Sequence, residues 1–408
     1  MNPSNIDIAR VQREIDDLAL ISENPPPVVT RVLFSDADLK ARECVISMFR
    51  DAALSVREDA IGNIFARWEG ADPSVPAVAT GSHIDAIPNA GKYDGVVGVL
   101  GAVEAVRALK RDRFQPRRSI EIIVFTAEEP TRFGIGCLGS RWLAGTLSYE
   151  KLASLRDTEG QGLDFWRAHA RLNPVGQPPR YAHFVELHIE QGPILERRGL
   201  DIGVVEKIAA PSSLRLKLEG VGGHAGAVLM PERRDALLAG AEIALAVEKA
   251  ALATGSPDTV ATTGVFRIEP GAVNSVPCRA TLEIDLRDTQ LSPRDSALRQ
   301  IQDSARDISR RRGVALEIEI VNADPPAACD PALVELICGV CGDLQLPFAK
   351  MISRAYHDSL FMALLCPTAM IFIPCRNGVS HRPDEFASPA HIQNGVAALA
   401  GTLRRLAS

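Results

Sequence analysis

The first half of the chain alternates apolar runs with a stretch of helical spacing. Short apolar runs predict three buried strands, at 75–80, 119–126 and 183–189. Between the first two strands, residues 95–110 carry apolar side chains at the spacing of a helix. The alternation returns at the end of the chain, where the pattern predicts a helix at 331–344, a strand at 369–374 and a helix at 390–406. Strand–helix–strand order is typical of a mostly parallel sheet covered by helices.

The pattern changes in the middle of the chain, where polar and apolar residues alternate strictly. Alternating strands at 214–219, 259–268, 281–288 and 315–321 are interleaved with helices at 234–252 and 292–312. We expect the second of these helices to open with Ser292 as its cap and Pro293 in its first turn. The resulting order, β-α-β-β-α-β, is the ferredoxin-like split-βαβ pattern.

Prolines near both ends of this middle segment, Pro211 and Pro325, indicate where it joins the rest of the chain. We therefore expect an α/β protein of two domains. Residues 1–211 and 326–408 form a discontinuous domain with a mostly parallel sheet. Residues 212–325 form an inserted ferredoxin-like domain.

Composition excludes several classes of protein. The 408 residues carry a formal net charge of -6, whereas a nucleic-acid-binding protein needs a basic face. No apolar run reaches the roughly 18 residues that a membrane span requires. Residues 1–22 are polar and acidic, unlike a secretory signal or transit peptide, so we expect a cytoplasmic protein with no nucleic-acid or membrane partner. Cys338 and Cys341 lie in an apolar run, which favours two buried cysteines on a helix over a redox or metal-binding motif.

Side chains that bind metals stand near the ends of the predicted strands of the larger domain. These residues are His83, Asp85, Asp94, Glu128, Glu129, His188 and His381. Ligands of open α/β sheets gather at the carboxyl ends of the strands, so we expect these side chains to meet. Taken singly, each residue is typical of an ordinary polar turn.

The set as a whole predicts a site for two metal ions. Imidazoles and carboxylates, one of them placed to bridge, suit two first-row metal ions about 3.5–4 Å apart. Glu128 and Glu129 adjoin each other after an apolar strand, and such a site needs one carboxylate as a ligand and one as a base for a water. The alternative interpretation is an acidic cluster that binds nothing.

The inserted domain adds three polar candidates. His224 lies in a glycine-rich stretch and Asn274 in a second loop, and both have side chains able to stabilise an oxyanion. Arg287 lies on an alternating strand, on the face opposite the apolar residues. Its guanidinium is either a bidentate clamp for a carboxylate or simply exposed to solvent.

Six stretches of the chain carry a resemblance to a known family. They are TGSHIDAIPNAGKYDGVVGVLGAVEA, FTAEEPTRFGIGCLGSR, ELHIEQGPILE, GGHAGAVLMP, GAVNSVP and GVSHRPDE. The sequence resembles the di-metal peptidases of the aminoacylase and carboxypeptidase type, in their N-carbamoyl amidohydrolase branch. The resemblance extends from about Thr30 to the C-terminus.

This resemblance implies a ligand set and an assembly. One ion is held by His83, Asp94 and His188, the second by Asp94, Glu129 and His381, with Glu128 as the general base. The resemblance also implies a homodimer in which the inserted domain is a lid and dimerisation domain, and His224 then reaches the partner's active site. Substrate contacts are implied for Gln191, Asn274 and Arg287. The expected ions are Mn²⁺ or Zn²⁺, with Co²⁺ or Ni²⁺ as further candidates.

The chain departs from the branch pattern at Ser353–Ser359. Carbamoylases and allantoate enzymes usually have S-G-A-G-H-D-A there, whereas this chain has S-R-A-Y-H-D-S. That stretch looks like the ureidoglycolate amidohydrolases of plants, which implies hydrolysis of (S)-ureidoglycolate to glyoxylate. We predict that Tyr356 discriminates substrates and that His357 beside it contacts them; the alternative for Tyr356 is a packing role.

Three hypotheses follow for the activity. The first is a di-metal amidohydrolase that cleaves the ureido C–N bond of ureidoglycolate, a small carboxylate, and releases ammonia and carbon dioxide. The second is the same chemistry on N-carbamoyl-L-amino acids, N-carbamoyl-β-alanine or allantoate. The third is a catalytically silent binding protein, whose signature is the loss of Glu128 or a ligand; all of these residues are present.

Overall fold

The computed structural model describes residues 5–172 and 180–408. The chain divides into two compact units. The larger unit contains the chain up to Glu206, Ala328–Ser353 and His357–Ser408, and the smaller unit contains Lys207–Ala327 and Arg354–Tyr356. None of the helices in the described part of the chain is long and apolar enough to cross a membrane.

The chain alternates helices and strands throughout. The helices are α1 Ile8–Ala19, α2 Asp36–Asp51, α3 Val96–Arg111, α4 Leu138–Leu143, α5 Tyr149–Ser154, α6 Leu163–His169, α7 Ile194–Arg198, α8 Ala236–Ala253, α9 Leu291–Arg312, α10 Pro331–Asp343, α11 Ser359–Met362 and α12 Pro389–Ala407. The strands are β1 Val29–Arg31, β2 Ser55–Glu58, β3 Ile64–Trp68, β4 Ala77–His83, β5 Ala86–Ala90, β6 Ile120–Phe125, β7 Tyr181–Ile189, β8 Ile202–Ile208, β9 Ala210–Glu219, β10 Gly223–His224, β11 Val260–Glu269, β12 Ser275–Val276, β13 Arg279–Asp288, β14 Ala315–Ala323, β15 Ala327–Ala328, β16 Phe348–Ser353 and β17 Thr368–Ile373.

A nine-stranded sheet forms the centre of the larger unit, in the order β15-β8-β17-β7-β4-β6-β3-β2, with β16 paired to β8. Its four central strands, β17, β7, β4 and β6, are parallel. The strands β8, β3 and β2 are antiparallel to their neighbours. The sheet is therefore parallel only in its centre. The sequence periodicity predicted the buried central strands and did not predict the flanking ones.

Burial explains why the central strands read as continuous apolar runs. Every residue of β4, β6 and β17 is buried, so no polar face interrupts the pattern. Helix α3 is buried along most of its length, including the charged residue Glu104. Cys338 and Cys341 both lie buried on α10, as the sequence indicates.

The smaller unit has a four-stranded antiparallel sheet in the order β11-β13-β9-β14. Numbered within the unit, this order is 2-3-1-4, the arrangement of a ferredoxin-like fold. Alternate residues of β13 are buried and pack with α8 and α9 into one apolar core. The predicted cap of α9 is wrong: the helix begins at Leu291, and Gln290 is the cap, without a side-chain hydrogen bond.

A short segment from the second half of the chain belongs to the smaller unit. Arg354 Nη2 lies 2.5 Å from Asp258 Oδ1, and the hydroxyl of Tyr356 donates to Asp324 Oδ2 at 2.8 Å. These two contacts hold Arg354–Tyr356 on the smaller unit. The sequence pattern assigned residues 326–408 entirely to the larger domain. It missed this segment because contacts made by only three residues leave no periodic pattern in the sequence.

Candidate metal centre

Parallel strands bring the predicted ligands to one edge of the large sheet. His83 is the last residue of β4, and His188 is the second-last residue of β7, which lies beside β4. Glu128 and Glu129 follow β6, the neighbour of β4 on its other side. The carboxyl ends of parallel strands share an edge, so topology alone places these four side chains together.

Asp94 lies at the centre of two ligand groups. Its Oδ1 is 3.1 Å from His188 Nε2 and 3.8 Å from His83 Nε2. Its Oδ2 is 3.0 Å from His381 Nε2, which in turn lies 3.3 Å from Glu129 Oε1. The two groups His83–Asp94–His188 and Asp94–Glu129–His381 therefore share one carboxylate, and each oxygen faces one group.

The close approach of Asp94 to His83 requires a glycine at the next position. Gly95 has a φ of 65°, in the left-handed region that side chains disfavour. A Cβ at Gly95 would also lie 2.5 Å from His83 Nε2. Gly95 thus lets the chain turn from Asp94 into α3 directly beneath the imidazole.

Hydrogen bonds to main-chain carbonyls fix how both buried imidazoles face the group. His83 Nδ1 lies 3.0 Å from the carbonyl oxygen of Asp85, and His188 Nδ1 lies 2.9 Å from that of Ile189. With Nδ1 engaged in this way, Nε2 of each ring faces Asp94. Such contacts hold the tautomer and the orientation that a metal ligand needs.

The two adjacent glutamates face different partners. Glu129 Oε1 faces His381, whereas Glu128 Oε2 lies 3.7 Å from His83 Nε2. The carboxylate of Asp85 accepts hydrogen bonds from both of their main-chain amides, at 3.3 Å for Glu128 and 3.1 Å for Glu129. Asp85 therefore fixes the backbone that carries both glutamates.

Burial of several acids together perturbs their proton affinities. Burial raises the pKa of Glu128 well above its ordinary value, and the charge of Glu129 adds to this while His83 opposes it. Burial, with the charge of Asp94, raises the pKa of Glu129 to about 7. Burial also acts against ionisation of Asp94, but hydrogen bonds from His188 and His381 outweigh it and hold its pKa well below the ordinary value.

Burial lowers the pKa of a histidine, whereas it raises the pKa of an acid. Burial lowers the pKa of His83, but the surrounding carboxylates Glu128, Asp85 and Asp94 outweigh it and raise that pKa well above its ordinary value. The hydrogen bond to Asp94 raises the pKa of His381 to about 9. Both results describe an anionic pocket that favours positive charge.

The residues present fit divalent cations. The donor set combines imidazole nitrogens with carboxylate oxygens, which suits first-row ions such as Zn²⁺ and Mn²⁺. Gln191 adds a second indication, because its Nε2 donates to Asp94 Oδ2 at 2.9 Å while its buried Oε1 has no hydrogen-bond partner among the described residues. An orphaned buried oxygen beside this cluster is consistent with a ligand there.

A second polar layer lies behind His188. The buried carboxylate of Glu186 accepts hydrogen bonds from the hydroxyls of Ser82, at 2.7 Å, and Ser359, at 2.5 Å. The ring of His357 packs edge-on against His188, with ring centroids 4.6 Å apart, and its Nε2 lies 2.9 Å from Ser353 Oγ. Because His357 is buried against His188, its position favours a role in holding the His188 ring in place. The predicted contact of His357 with substrate stays a prediction.

The candidates of the smaller unit are less enclosed. His224 and Asn274 are exposed and lie on neighbouring segments, since β10 pairs with β12 and the Ala225 amide donates to the Asn274 carbonyl oxygen at 2.8 Å. Arg287 is half-buried and forms a bidentate pair with Asp285, at 2.7 Å from Nε and 3.1 Å from Nη2. The structure therefore brings His224 and Asn274 together and gives Arg287 a carboxylate partner within its own strand.

Sequence reasoning placed Asp85 beside His83 without giving it a role, and it missed a second acid that supports the centre, Glu385. Asp85 stands two residues after His83, and this spacing was a usable signal. Glu385 is buried and accepts a hydrogen bond from the Asp94 amide at 3.0 Å, although 291 residues separate the two. No local pattern announces a contact at such a separation.

Comparisons with known proteins agree with this architecture. The chain is 52% identical to a ureidoglycolate hydrolase of Oryza sativa subsp. japonica, over 99% of this chain and 86% of that protein. It is also 52% identical to a ureidoglycolate hydrolase of Arabidopsis thaliana, over 98% of this chain and 87% of that protein. Among solved structures, AtUAH in complex with (S)-hydroxyglycine superposes with a TM-score of 0.93 at 51% identity, covering 98% of each chain.

Residues 79–405 match the description "Peptidase family M20/M25/M40", and this segment contains every ligand candidate of the two groups. The match covers well over half of the chain, and two relatives that align with nearly all of the chain share about half of its residues. The chain therefore belongs to peptidase family M20/M25/M40.

Proposed function

We propose that this protein is a metal-dependent amidohydrolase that cleaves the ureido C–N bond of (S)-ureidoglycolate and yields glyoxylate. The observation that carries the chemistry is the pair of ligand groups that share Asp94, with the buried carboxyl of Glu128 beside them. The substrate is supported by the 52% identity to two ureidoglycolate hydrolases.

We assign two divalent ions to each subunit. His83, Asp94 and His188 would hold one ion, and Asp94, Glu129 and His381 the other. When bound, a pair of such ions lowers the pKa of a water and polarises a carbonyl. Mn²⁺ and Zn²⁺ are the candidates that this donor set favours, with Co²⁺ and Ni²⁺ as alternatives.

Glu128 moves the proton in this proposal. Its carboxyl is buried and 3.7 Å from His83, so it stands beside the ligands without belonging to either group. It takes a proton from the attacking water and returns it to the leaving nitrogen. Cleavage releases ammonia and a carbamate, and the carbamate then loses carbon dioxide. The remaining hydroxyglycine decays to glyoxylate and a second ammonia.

Substrate contacts are proposed for six residues. Arg287 binds the substrate carboxylate, and the bidentate pair of its Nε and Nη2 with Asp285 holds the guanidinium in place. His224 and Asn274 stabilise the oxyanion, and Gln191 contacts substrate or ion. Tyr356 and His357 complete the set: the hydroxyl of Tyr356, whose proton is donated to Asp324, offers its oxygen to the substrate hydroxyl.

We propose a homodimer formed through the smaller unit, which also acts as a lid. Exposed apolar side chains support this assembly: Leu245 and Leu252 on α8 are 68% and 78% exposed, and Phe266 on the edge strand β11 is 38% exposed. An unpaired edge strand beside exposed apolar residues is a surface that a second copy can cover. His224 then serves the active site of the partner.

The test is product analysis with a panel of substrates. Purified protein loaded with Mn²⁺ is assayed for ammonia with ureidoglycolate, allantoate, N-carbamoyl-β-alanine and N-carbamoyl-L-amino acids. We expect preference for ureidoglycolate, with glyoxylate formed. Preference for a carbamoyl amino acid, with release of the free amino acid, would overturn the substrate and keep the metal chemistry. Binding without turnover of any substrate would favour a silent binding protein.

A further inference from the structure

The two ligand groups depend on loops from distant parts of the chain. Asp94 stands just before α3, and His381 lies in the loop that follows β17. Neither residue lies within a strand, so the sheet alone does not set the distance between them. Some other contact has to hold these loops in register if their side chains are to share an ion.

The carboxylate of Glu385 makes that contact. Its Oε1 accepts hydrogen bonds from the main-chain amides of Tyr93, at 2.8 Å, and Asp94, at 3.0 Å. Its Oε2 accepts from the hydroxyl of Ser380, at 2.9 Å, and Ser380 directly precedes His381. One side chain therefore binds the Asp94 loop with one oxygen and the His381 loop with the other.

Two further contacts tighten this junction. The Ser380 hydroxyl oxygen lies 3.2 Å from Asp94 Oδ2, the oxygen that faces His381. Glu385 itself is only 4% exposed, and a Cβ on Gly91 would lie 2.4 Å from its Cβ, so the two loops are packed against each other. The carboxylate is enclosed, multiply bonded and outside both ligand groups.

We propose that Glu385 is a positioning residue that sets the affinity of the ion held by Asp94, Glu129 and His381. The inference rests on the proposed two-ion centre. His381 is the ligand whose side chain is 47% exposed, whereas His83 and His188 are buried at strand ends. Loss of Glu385 should therefore loosen the group that contains His381 more than the group that contains His83 and His188.

The expected size of the effect follows from other metal proteins, in which removal of a supporting hydrogen-bond partner costs about 10–100-fold in metal affinity. We expect Glu385→Ala to weaken binding of the ion held by Asp94, Glu129 and His381 by this factor, and to weaken binding of the other ion by much less. Glu385→Gln keeps an acceptor for the two amides and keeps the volume, so it should retain most of the affinity. Activity at saturating metal should fall less than activity at limiting metal.

The experiment titrates metal-free protein with Mn²⁺ or Zn²⁺ and measures both stoichiometry and affinity by calorimetry and chelator competition. Asp59→Ala is the matched control, because the buried carboxylate of Asp59 also accepts from two amides and one side chain, but all within the turn to Asn63. We expect Asp59→Ala to lower the melting temperature without separating the two metal affinities.

The outcomes separate this inference from the proposed centre. If the unsubstituted protein binds fewer than two ions, the two-ion centre itself is wrong. If it binds two ions and folded Glu385→Ala binds both with unchanged affinity, only the role of Glu385 is overturned. If Glu385→Ala does not fold, Glu385→Gln and Glu385→Asp decide: the shorter aspartate cannot span both loops and must show the selective loss, whereas equal loss of both ions overturns the inference.

Discussion

The two units hold their polar residues in opposite ways. In the larger unit, His83, Asp94, Glu129 and His188 are buried and face one another across a few ångströms. In the smaller unit, by contrast, His224 and Asn274 are exposed. Buried charged side chains need fixed partners, because burying a charge without one costs several kcal/mol per ion. Residues that touch a substrate have to remain accessible.

This difference predicts two kinds of kinetic effect. Under the proposed function, substitutions in the larger unit remove groups that act on the reacting bond, and these should lower kcat. Under the same proposal, substitutions in the smaller unit remove groups that hold the substrate before and during reaction, and these should raise KM. His224 is the test case between the two kinds, since it is exposed but assigned to the oxyanion.

The largest effect is expected from Glu128→Gln. The amide cannot take a proton, so kcat should fall by about 10²–10⁴-fold, the usual contribution of a general base. Bound metal should be unchanged, because Glu128 belongs to neither ligand group. Kinetics and metal analysis on the same sample check this. Glu121→Gln is the control: Glu121 is a buried glutamate on β6 that binds Tyr181 instead, and its substitution should spare kcat. Activity retained in Glu128→Gln would remove it as the base.

His224→Ala should follow in size. Loss of one oxyanion donor typically costs about 10²–10³-fold in kcat, and here the ions should remain bound. Mixed dimers of His224→Ala and Glu128→Gln subunits then test the assembly. If His224 serves the partner's site, the mixture regains activity because one of its two sites has both residues intact. A mixture that stays inactive would place His224 in the site of its own subunit.

The larger unit explains why sequence alone could predict that its candidate ligands lie close together. Each buried central strand gives an apolar run, and the ligands follow those runs, so parallel topology alone places His83 next to His188 and Glu128. The carboxylate shared by both groups was also predicted. The role of Glu385 could not be predicted, because Tyr93 and Asp94, the partners that link it to the other loop, lie almost 300 residues away and no periodicity connects them. The antiparallel strands β2 and β3 were missed because they are short and partly exposed.

The smaller unit shows where such prediction ends. Its β-α-β-β-α-β order was readable, since alternation marks strands with one buried face. The pairing of Arg287 with Asp285 was not foreseen, although both residues stand on the same face of β13 at a spacing of two. The hydrogen bond from the Tyr356 hydroxyl to Asp324 was not predicted either. Side-chain partners depend on rotamers and loop paths, which the hydrophobic pattern does not encode.

Arg287→Ala should have a smaller effect, mainly on KM. A hydrogen bond to a charged group contributes about 1.5–3 kcal/mol, which corresponds to roughly 10–150-fold weaker binding of a carboxylate substrate. Arg279→Ala is the matched control, because Arg279 lies on the same strand and also pairs with a carboxylate, that of Glu269, at 2.8 Å. Steady-state kinetics of both variants check this. Equal KM values in the two variants would return Arg287 to a purely structural pairing.

The smallest expected effect is on how the stability of the metal-free protein depends on pH. Burial raises the pKa of Asp358 to about 8, burial raises that of Glu129 to about 7, and the bond to Asp94 raises that of His381 to about 9. A raised pKa, in an acid or a histidine alike, means that the folded chain binds more protons than the unfolded chain. The stability that these groups contribute is present at low pH and is lost as pH rises through their folded values. Asp94, whose pKa is lowered, acts in the opposite sense.

Metal-free protein should therefore lose several degrees of melting temperature between pH 6 and pH 9, measured by calorimetry after chelation. Divalent ions supply the missing positive charge, so adding Mn²⁺ or Zn²⁺ should raise the melting temperature most at the high end of this range. Asp358→Asn keeps the shape of the buried carboxyl but cannot ionise, and its metal-free form should show a flatter pH profile than the unsubstituted protein. A metal-free protein that becomes more stable as pH rises would mean that the buried acids are balanced by the protein itself, and that the larger unit needs no cation to hold its cluster together.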